Sequence, residues 1–365
     1  MSVTTGTGDT LSGYLGPRRR TTIPKRRVSV SGIQRRWRSK TVVAVVGLGS
    51  ACRRLVWQCL QQSSAGIEVA GVFGDAADDG ASGYCLGTAV GGGICDLLEL
   101  ARSRQIDAVI LAIPEAAEHR ISRAISQLRH IAVDIYLQVD RPTAGDESPL
   151  CALPVKLIER RPLSPRAMAI KAIEDRVLAG VILLLISPLL LGIALLVKLD
   201  SPGPVIFRQK RYGLNNALIE IFKFRTLYVA QSDGNADQLV TRNDRRVTRI
   251  GAFLRRTSLD ELPQFINVLL GDMSVVGPRP HALAAKAGPL QYDEIVMNYG
   301  ARHRVKPGIT GWAQINGWRG ETSTEEQIEQ RVAHDFFYIA NWSLLFDLRI
   351  VARTVLGGFG GRQAY

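Results

Sequence analysis

An uninterrupted apolar run from Val177 to Val197 constrains this chain more than any other feature of its sequence. The run is 21 residues long, and Ser187 carries its only polar side chain. As an α-helix it would be about 31 Å long, close to the roughly 30 Å hydrocarbon core of a bilayer. A buried helix of that length in a soluble protein normally keeps a polar stripe. The run therefore predicts a membrane helix over residues 177–197.

Two arrangements of this helix in the membrane are compatible with the residues around it. Basic residues flank both ends, and the positive-inside tendency draws both toward the cytoplasm. Ser187-Pro188 lies at the midpoint, where proline removes a backbone donor and bends or breaks a helix. The pattern predicts either a kinked single span or a re-entrant helix that enters and leaves on one face.

The residues before the membrane helix predict an α/β domain. Apolar strand patterns cover 41–46, 67–73, 108–113 and 133–137, and helical patterns cover 51–62 and 122–128. Strands alternating with helices favour a parallel, doubly wound, Rossmann-like sheet. Gly47-Leu48-Gly49 resembles the start of a dinucleotide fingerprint, but Cys52 stands where the third glycine belongs. This favours a scaffold without an essential nucleotide, and Asp75 is either a ribose-binding acid or part of an ordinary turn.

Composition divides the chain into four parts. We expect a disordered basic arm at 1–40, the Rossmann-like domain at 41–140, a proline-rich linker at 141–168 and a mainly α, membrane-associated catalytic domain at 169–365. The arm is either a solvated tail or is attracted to anionic headgroups. Residues 333–354 predict an amphipathic helical region at the membrane interface, with a core helix as the alternative.

Several function classes lack their sequence signals. The five cysteines form no CxxC pair or zinc-ligand spacing, which favours a reducing cytoplasm. There is no P-loop and no nucleophile elbow. The net charge of +13 suggests an anionic partner, but no helix-turn-helix, zinc-finger or aromatic-basic RNA motif appears, so we expect no nucleic acid.

Two segments could carry phosphoryl transfer. Asp260-Glu261 places two acids beside Arg255 and Arg256, so one carboxylate could attack phosphorus while the other holds Mg²⁺. The alternative is a structural role, in which the two acids begin a surface helix capped by Ser258. In Pro278-Arg279-Pro280 the prolines would preorganise a guanidinium for a phosphate, although a polar turn explains them equally well.

These segments belong to an ordered series of motifs in the second half of the chain. It comprises Ser187-Pro188, 201–209 (SPGPVIFRQ), 223–226 (KFRT), 257–264 (TSLDELPQ), 277–280 (GPRP) and 306–311 (KPGITG). From about Lys171 to Tyr365 the chain resembles the bacterial sugar transferases, the monotopic polyprenyl-phosphate phosphoglycosyl transferases. The N-terminal block resembles that of the larger members, the glucose- and galactose-1-phosphate transferases of exopolysaccharide assembly.

The resemblance implies a reaction. A hexose 1-phosphate would pass from a UDP-sugar, UDP-glucose or UDP-galactose, to undecaprenyl phosphate with release of UMP, as the first membrane step of exopolysaccharide, capsule or O-antigen synthesis. Asp260 would be the nucleophile of a covalent aspartyl phospho-sugar intermediate, and Glu261 would help Asp260 hold Mg²⁺. The substrate-binding residues would be Lys223, Arg225, Arg255, Pro278, Arg279, Pro280 and Lys306.

The same resemblance implies a location. Ser187-Pro188 would break a re-entrant helix, so the enzyme would sit in the cytoplasmic face of the inner membrane among its lipids, with a homodimer as a further expectation. The alternative is a membrane-anchored, nucleotide-sensing regulator without transferase activity.

Overall fold

The computed structural model describes residues 40–62, 66–75, 83–103, 106–140, 150, 153–229, 244–281, 286–287, 290–296, 298–320 and 324–357. Apart from Lys40, the predicted basic arm lies outside these residues.

The first part of the chain is a seven-stranded sheet with helices on both faces. The strands follow the spatial order β3-β4-β2-β1-β5-β6-β7, in which β4, β2, β1, β5 and β6 are parallel and β3 and β7 pair antiparallel at the two edges. The elements are β1 (Thr41–Val46), α1 (Ser50–Gln61), β2 (Ile67–Phe73), β3 (Gly83–Cys85), β4 (Thr88–Val90), α2 (Ile94–Ser103), β5 (Ala108–Leu111), α3 (Glu118–Leu128), β6 (Asp134–Gln138) and β7 (Val155–Glu159).

Both faces of this sheet are buried, which explains its continuous apolar strands. On β1, Val43 and Val45 pack with α1, whereas Ala44 and Val46 pack on the opposite face with α2 and α3. Successive strand residues point to opposite faces, so a strand covered on both sides has no polar alternation. The predicted mixed α/β N-terminal region is confirmed.

The linker boundary differs from the sequence prediction. Residues 155–159, assigned to the linker because of the prolines around them, form β7 and pair with β6. Pro154 immediately precedes this edge strand, a position that proline tolerates because no ladder hydrogen bond is lost there. The sheet therefore extends beyond residue 140.

The second part of the chain is built on one long helix, α4, which runs from Pro165 to Asp200. The elements after it are β8 (Ile206–Tyr212), β9 (Leu218–Phe224), α5 (Arg249–Thr257), α6 (Gln264–Leu270), β10 (Ser274–Val276), β11 (Lys286–Ala287), β12 (Leu290–Gln291), α7 (Tyr292–Ile295), β13 (Gly308–Thr310), α8 (Trp312–Ile315), α9 (Glu325–Ala340) and α10 (Leu344–Leu356). Among the described residues, short 3₁₀ turns lie at Leu214–Asn216, Leu259–Glu261 and Tyr299–Arg304. The helical region predicted over 333–354 spans parts of α9 and α10.

Helix α4 contains the predicted membrane segment and exceeds it at both ends. Ser164 caps its first turn by accepting a hydrogen bond from the amide of Ala167 at 3.2 Å, and Pro165 opens it. Among the described helices it is the one long and apolar enough to cross a membrane, and only 11% of its most apolar stretch is buried inside the protein. Because a soluble core helix would be mostly buried, this exposure favours contact with lipid.

The helix continues through Ser187-Pro188, so the predicted break is not an interruption of the backbone. Pro188 has no amide hydrogen to give to the carbonyl of Leu184, four residues earlier. The Ser187 hydroxyl donates to that same carbonyl at 2.8 Å. The serine thus supplies a hydrogen-bond donor to the carbonyl that the proline cannot satisfy, and the helix need not end there.

The two arms of α4, the parts before and after Pro188, pack against the same core. Asp175 accepts hydrogen bonds from the Ser274 hydroxyl at 2.8 Å and the Val275 amide at 2.9 Å. Near the other end, Asp200 accepts from the amide of Ile250 at 3.2 Å. Ala179 from the first arm and Ile193 from the second belong to one apolar cluster with α5, α6 and α10. Between the arms, leucines at the middle of the helix are largely exposed.

Candidate active site

The acid pair Asp260-Glu261 lies in the 3₁₀ turn between α5 and α6. Ser258 enters this turn in the left-handed region, at φ 56°, and makes no capping hydrogen bond to it. Its hydroxyl instead accepts a hydrogen bond from Arg319 at 2.8 Å. The interpretation of Ser258 as the cap of a surface helix is therefore wrong, because the serine ends α5 and contacts a distant arginine.

Glu261 is held between two cations. Lys223 on β9 donates to its Oε1 at 2.9 Å, and Arg279 binds both of its oxygens, at 2.7 and 3.1 Å. Burial raises the pKa of Glu261, but Arg279 and Lys223 outweigh burial and hold this pKa well below its usual range. Glu261 is therefore a permanent anion that orients both cations.

Asp260 differs from its neighbour. Within the described part of the chain its carboxylate makes no hydrogen bond or ion pair. Burial raises its pKa to about 6, against the opposing charges of Lys223 and Arg255. Two adjacent carboxylates in different environments can take different roles, one structural and one reactive.

Two further arginines surround the pair, and sequence reasoning did not assign them to the site. Arg211 on β8 has its pKa lowered to about 10 by burial and by the charge of Arg279, so it is still a cation at neutral pH. Arg319 also lies within electrostatic range of Arg279 and the two acids. No local motif marks either one, and only the fold of β8 and of the segment after α8 brings them here.

The loop that carries Arg279 is fixed by its neighbours. The amide of Gly308 donates to the carbonyl of Pro278 at 2.9 Å, and the amide of Gly277 donates to the carbonyl of Thr310 at 2.9 Å. Pro278 and Pro280 restrict the backbone on either side of the guanidinium. The motif at 306–311 thus lies against the motif at 277–280 and holds its backbone in place.

Two predicted substrate-binding residues have described neighbours outside the acid pair. The Lys306 ammonium and the Arg176 guanidinium both lie near Gly271. Arg225 is buried, and its guanidinium donates to the carbonyls of Val197, Ser201 and Pro202 at 3.2, 2.6 and 2.8 Å. It satisfies the carbonyl groups at the end of α4, where a cation is favoured. The structure therefore brings together Asp260, Glu261, Lys223, Arg255 and Arg279, with Pro278 and Pro280 beside them.

This placement predicts that Arg225 acts on stability. Arg225→Lys should lower the free energy of unfolding by at least about 2 kcal/mol, because an ammonium cannot reach three separate carbonyl groups. Thermal unfolding in detergent measures the change. Arg208→Lys is the matched control, since Arg208 is 66% exposed on β8 and should change little. If Arg225→Lys is as stable as the wild type but has a raised KM for a nucleotide substrate, Arg225 acts in substrate binding instead.

The acid pair fits one divalent cation only with help from a substrate. Among the described residues, no three acid, histidine or cysteine side chains form a metal site. Mg²⁺, however, is commonly held by one or two carboxylates together with phosphate oxygens and water. Among the described residues Asp260 has no hydrogen-bond or ion-pair partner that would compete with a metal, whereas Glu261 would exchange one of its cations for the metal.

The chemistry available here follows from these charges. Five cations, Lys223, Arg211, Arg255, Arg279 and Arg319, surround two acids. The excess positive charge can neutralise a bound polyanion such as a diphosphate. An ionised, unpaired carboxylate beside such a group is a competent nucleophile toward phosphorus.

Comparisons with known proteins identify the family of this chain. Residues 166–361 match the family model described as bacterial sugar transferase, and residues 21–138 match the one described as CoA-binding domain. The chain is 44% identical to the UDP-glucose:undecaprenyl-phosphate glucose-1-phosphate transferase of Escherichia coli K12, over 93% of this chain and 72% of the relative.

Other relatives extend the comparison. The protein of the same name from Klebsiella pneumoniae is 41% identical over 97% of this chain and 72% of its own length. The UDP-N-acetylgalactosamine-undecaprenyl-phosphate N-acetylgalactosaminephosphotransferase of Aeromonas hydrophila is 43% identical over 54% of this chain and 46% of its own length. The predictions of the family and of an enzyme of the phosphoglycosyl transferase class are confirmed. The chain belongs to the bacterial sugar transferase family.

Proposed function

We propose that the protein transfers glucose 1-phosphate from UDP-glucose to undecaprenyl phosphate and releases UMP. The observation that carries this proposal is the Asp260 carboxylate, which pairs with none of the described residues and lies beside the cations that Glu261 orients. The glucose donor is chosen because the relatives aligned over nearly the whole chain carry that donor in their names. UDP-galactose, which the sequence resemblance also implied, is the competing donor.

Transfer proceeds in two steps. A carboxylate oxygen of Asp260 attacks the β-phosphorus of the donor, the bond from that phosphorus to the bridging oxygen breaks, and UMP leaves with the bridging oxygen. An oxygen of undecaprenyl phosphate then attacks the same phosphorus and displaces the Asp260 carboxylate. The product is undecaprenyl diphosphate glucose, and the free carboxylate returns for another cycle.

The residues around Asp260 have separate tasks. Arg279 and Lys223 bind the diphosphate and stabilise the negative charge that develops on the leaving UMP, while Glu261 keeps both cations in place between cycles. Mg²⁺, held by Asp260 and Glu261, would supply further neutralisation of the diphosphate. Arg255 adds positive charge that favours the ionised, nucleophilic form of Asp260.

The membrane arrangement belongs to the same proposal. We place the catalytic part on the cytoplasmic face, with α4 re-entrant and bent at Pro188. The support is that Ala179 and Ile193, on opposite sides of the proline, pack into one core, while Leu184 and Leu185 between them are exposed. A site at this membrane face can receive a soluble nucleotide sugar and a lipid phosphate together.

The re-entrant arrangement predicts that both ends of α4 are accessible from one side. Arg166→Cys and Lys210→Cys, each at an exposed position outside the apolar segment, should both react with a membrane-impermeant maleimide in inside-out vesicles and in no other orientation. Cys95 and Cys151 are replaced by serine in this experiment, since the other three cysteines are buried. Labelling of the two positions from opposite sides would instead identify a single span.

The N-terminal domain has a supporting part in this function. We propose that its parallel sheet is a Rossmann-like scaffold, since β2, β1, β5 and β6 follow one another across it. The regulator alternative, in which the membrane part is only an anchor, does not explain the arrangement of charges around Asp260. We also propose that the protein is active as a homodimer. It would catalyse the first membrane step of exopolysaccharide, capsule or O-antigen synthesis.

The test is UMP release by purified protein in nanodiscs with Mg²⁺ and undecaprenyl phosphate. UDP-glucose, UDP-galactose and UDP-N-acetylgalactosamine are compared at equal concentration. Lipid-dependent turnover with UDP-glucose at least tenfold above the other two supports the proposal. Preference for another sugar would correct the donor alone, and absence of UMP from all three would contradict the reaction.

A further inference from the structure

The 3₁₀ turn Tyr299–Arg304 lies between the α/β domain and the candidate active site. On the domain side, Gly300 is buried so close to His130 that a β-carbon at residue 300 would overlap the imidazole ring. Arg304 forms an ion pair with Glu159 of β7 at 2.6 Å and donates to the carbonyl of Arg160 at 3.0 Å. One side of this turn is thus fixed to the α/β domain.

A second element reinforces this contact. Asn215 and Asn216, at the end of the β8–β9 hairpin, both have φ 57°, a conformation that asparagine tolerates better than most residues. Asn215 accepts a hydrogen bond from the amide of Ala132 at 2.8 Å, and Asn216 donates to the carbonyl of His130 at 3.0 Å. The Asn216 side chain also hydrogen-bonds the His303 ring at 2.5 Å. The hairpin that carries Arg211 and Lys223 therefore meets the same surface.

The opposite side of the turn contacts the catalytic loop. Arg302 is fully buried and forms an ion pair with Asp335 at 2.6 Å. Its guanidinium also donates to the backbone carbonyl of Arg279 at 2.8 Å. The side chain of Arg279 in turn binds Glu261. One six-residue turn therefore connects the α/β domain to the backbone of the phosphate-binding arginine.

We propose that the α/β domain positions Arg279 through the Tyr299–Arg304 turn, with Gly300, His130 and Arg304 as positioning residues. The turn is packed on both sides, so a displacement on the His130 side moves Arg302 and, with it, the Arg279 carbonyl. This inference rests on the proposed function, because its effect is on donor binding and UMP release. In this role the N-terminal domain supports catalysis by positioning Arg279, and it does not need to bind a ligand itself.

Gly300→Ala tests the inference with a compensating change. The added methyl group should displace the turn and lower kcat/KM for UDP-glucose by at least about tenfold, since a shift near 1 Å in an active site can cost about a hundredfold. The double variant Gly300→Ala/His130→Ala removes the obstructing ring and should recover to within about twofold of His130→Ala alone. Gly93→Ala is the control, because a β-carbon there meets nothing within 4 Å.

A second pair of variants guards against a folding defect. Glu159 binds both Arg304 and Arg129, the latter entirely within the α/β domain. Arg304→Gln should lower kcat/KM several-fold, whereas Arg129→Gln should leave it unchanged, with thermal unfolding midpoints recorded for both.

The outcomes separate the inference from the proposed function. If the wild type is active and Gly300→Ala and Arg304→Gln have the same kcat/KM for UDP-glucose as the wild type, only the inference is overturned. The inference is also overturned if Gly300→Ala lowers kcat/KM and His130→Ala does not relieve the defect. A wild type that releases no UMP overturns both.

Discussion

Asp260→Asn is expected to abolish UMP release, with a loss of at least about a thousandfold in kcat. The amide cannot form the bond to phosphorus, and removal of a nucleophile in other covalent enzymes has effects of this size or larger. UMP release from UDP-glucose, with and without lipid acceptor, measures the loss. Because burial raises the pKa of Asp260, the ionised side chain is a net cost to the fold at neutral pH, so the variant should unfold at the same or a higher temperature.

A matched substitution shows whether the loss is specific. Asp140→Asn makes the same chemical change at an exposed position in the α/β domain and should leave turnover within about twofold of wild type. Residual turnover of Asp260→Asn above about a tenth of wild type would exclude Asp260 as the nucleophile and would point to direct attack by the lipid phosphate.

Arg279→Lys is expected to lower kcat/KM for the donor by about a hundredfold to a thousandfold. The guanidinium binds both oxygens of Glu261, and the same planar fork can bind two phosphate oxygens, whereas an ammonium cannot. Losses of this order follow the removal of one preorganised donor from an active site. Steady-state kinetics at varied UDP-glucose and saturating lipid phosphate give the value.

The control for this variant is Arg256→Lys. Arg256 lies on α5 one residue after Arg255, but it is exposed, so the same exchange there should change kcat/KM by less than about twofold. Equal effects of the two exchanges would show that general positive charge, and not the geometry of Arg279, supports donor binding.

The sequence predicted the site where its signal is local. Asp260-Glu261 and Pro278-Arg279-Pro280 are short segments whose composition already suggests phosphoryl chemistry, and the structure brings them together with Lys223. Arg211 and Arg319 carry no such signal, because their relevance arises only from the pairing of β8 with β9 and from the path of the chain after α8.

Two residues make contacts that their positions in the sequence do not indicate. Arg225 lies in a motif with Lys223, but β9 ends at Phe224, so Lys223 on the strand contacts Glu261 while Arg225, just after the strand, contacts the end of α4. Ser258 precedes two acids as a helix cap would, yet it takes a left-handed conformation that ends α5. Spacing along the chain does not separate these roles, because both depend on tertiary contacts.

In the fold, too, features with a local sequence signal could be predicted and features that depend on tertiary contacts could not. The apolar strands and the long helix could be predicted because burial on both faces and a lipid environment leave strong compositional patterns. Strand β7 is hard to predict because it has only five residues and prolines surround it. At Pro188 the Ser187 hydroxyl donates to the carbonyl that the proline leaves without an amide partner, a contact that no periodicity reveals.

The most direct test of the account is detection of the covalent intermediate. Wild-type protein in nanodiscs is incubated with Mg²⁺ and UDP-glucose in the absence of lipid acceptor, and its intact mass and peptides are measured. The two-step mechanism predicts one glucose phosphate per chain on the peptide that contains Asp260, its absence in Asp260→Asn, and its loss when undecaprenyl phosphate is added. An unmodified protein that releases UMP only when both substrates are present would contradict the aspartyl intermediate and favour direct transfer to the lipid.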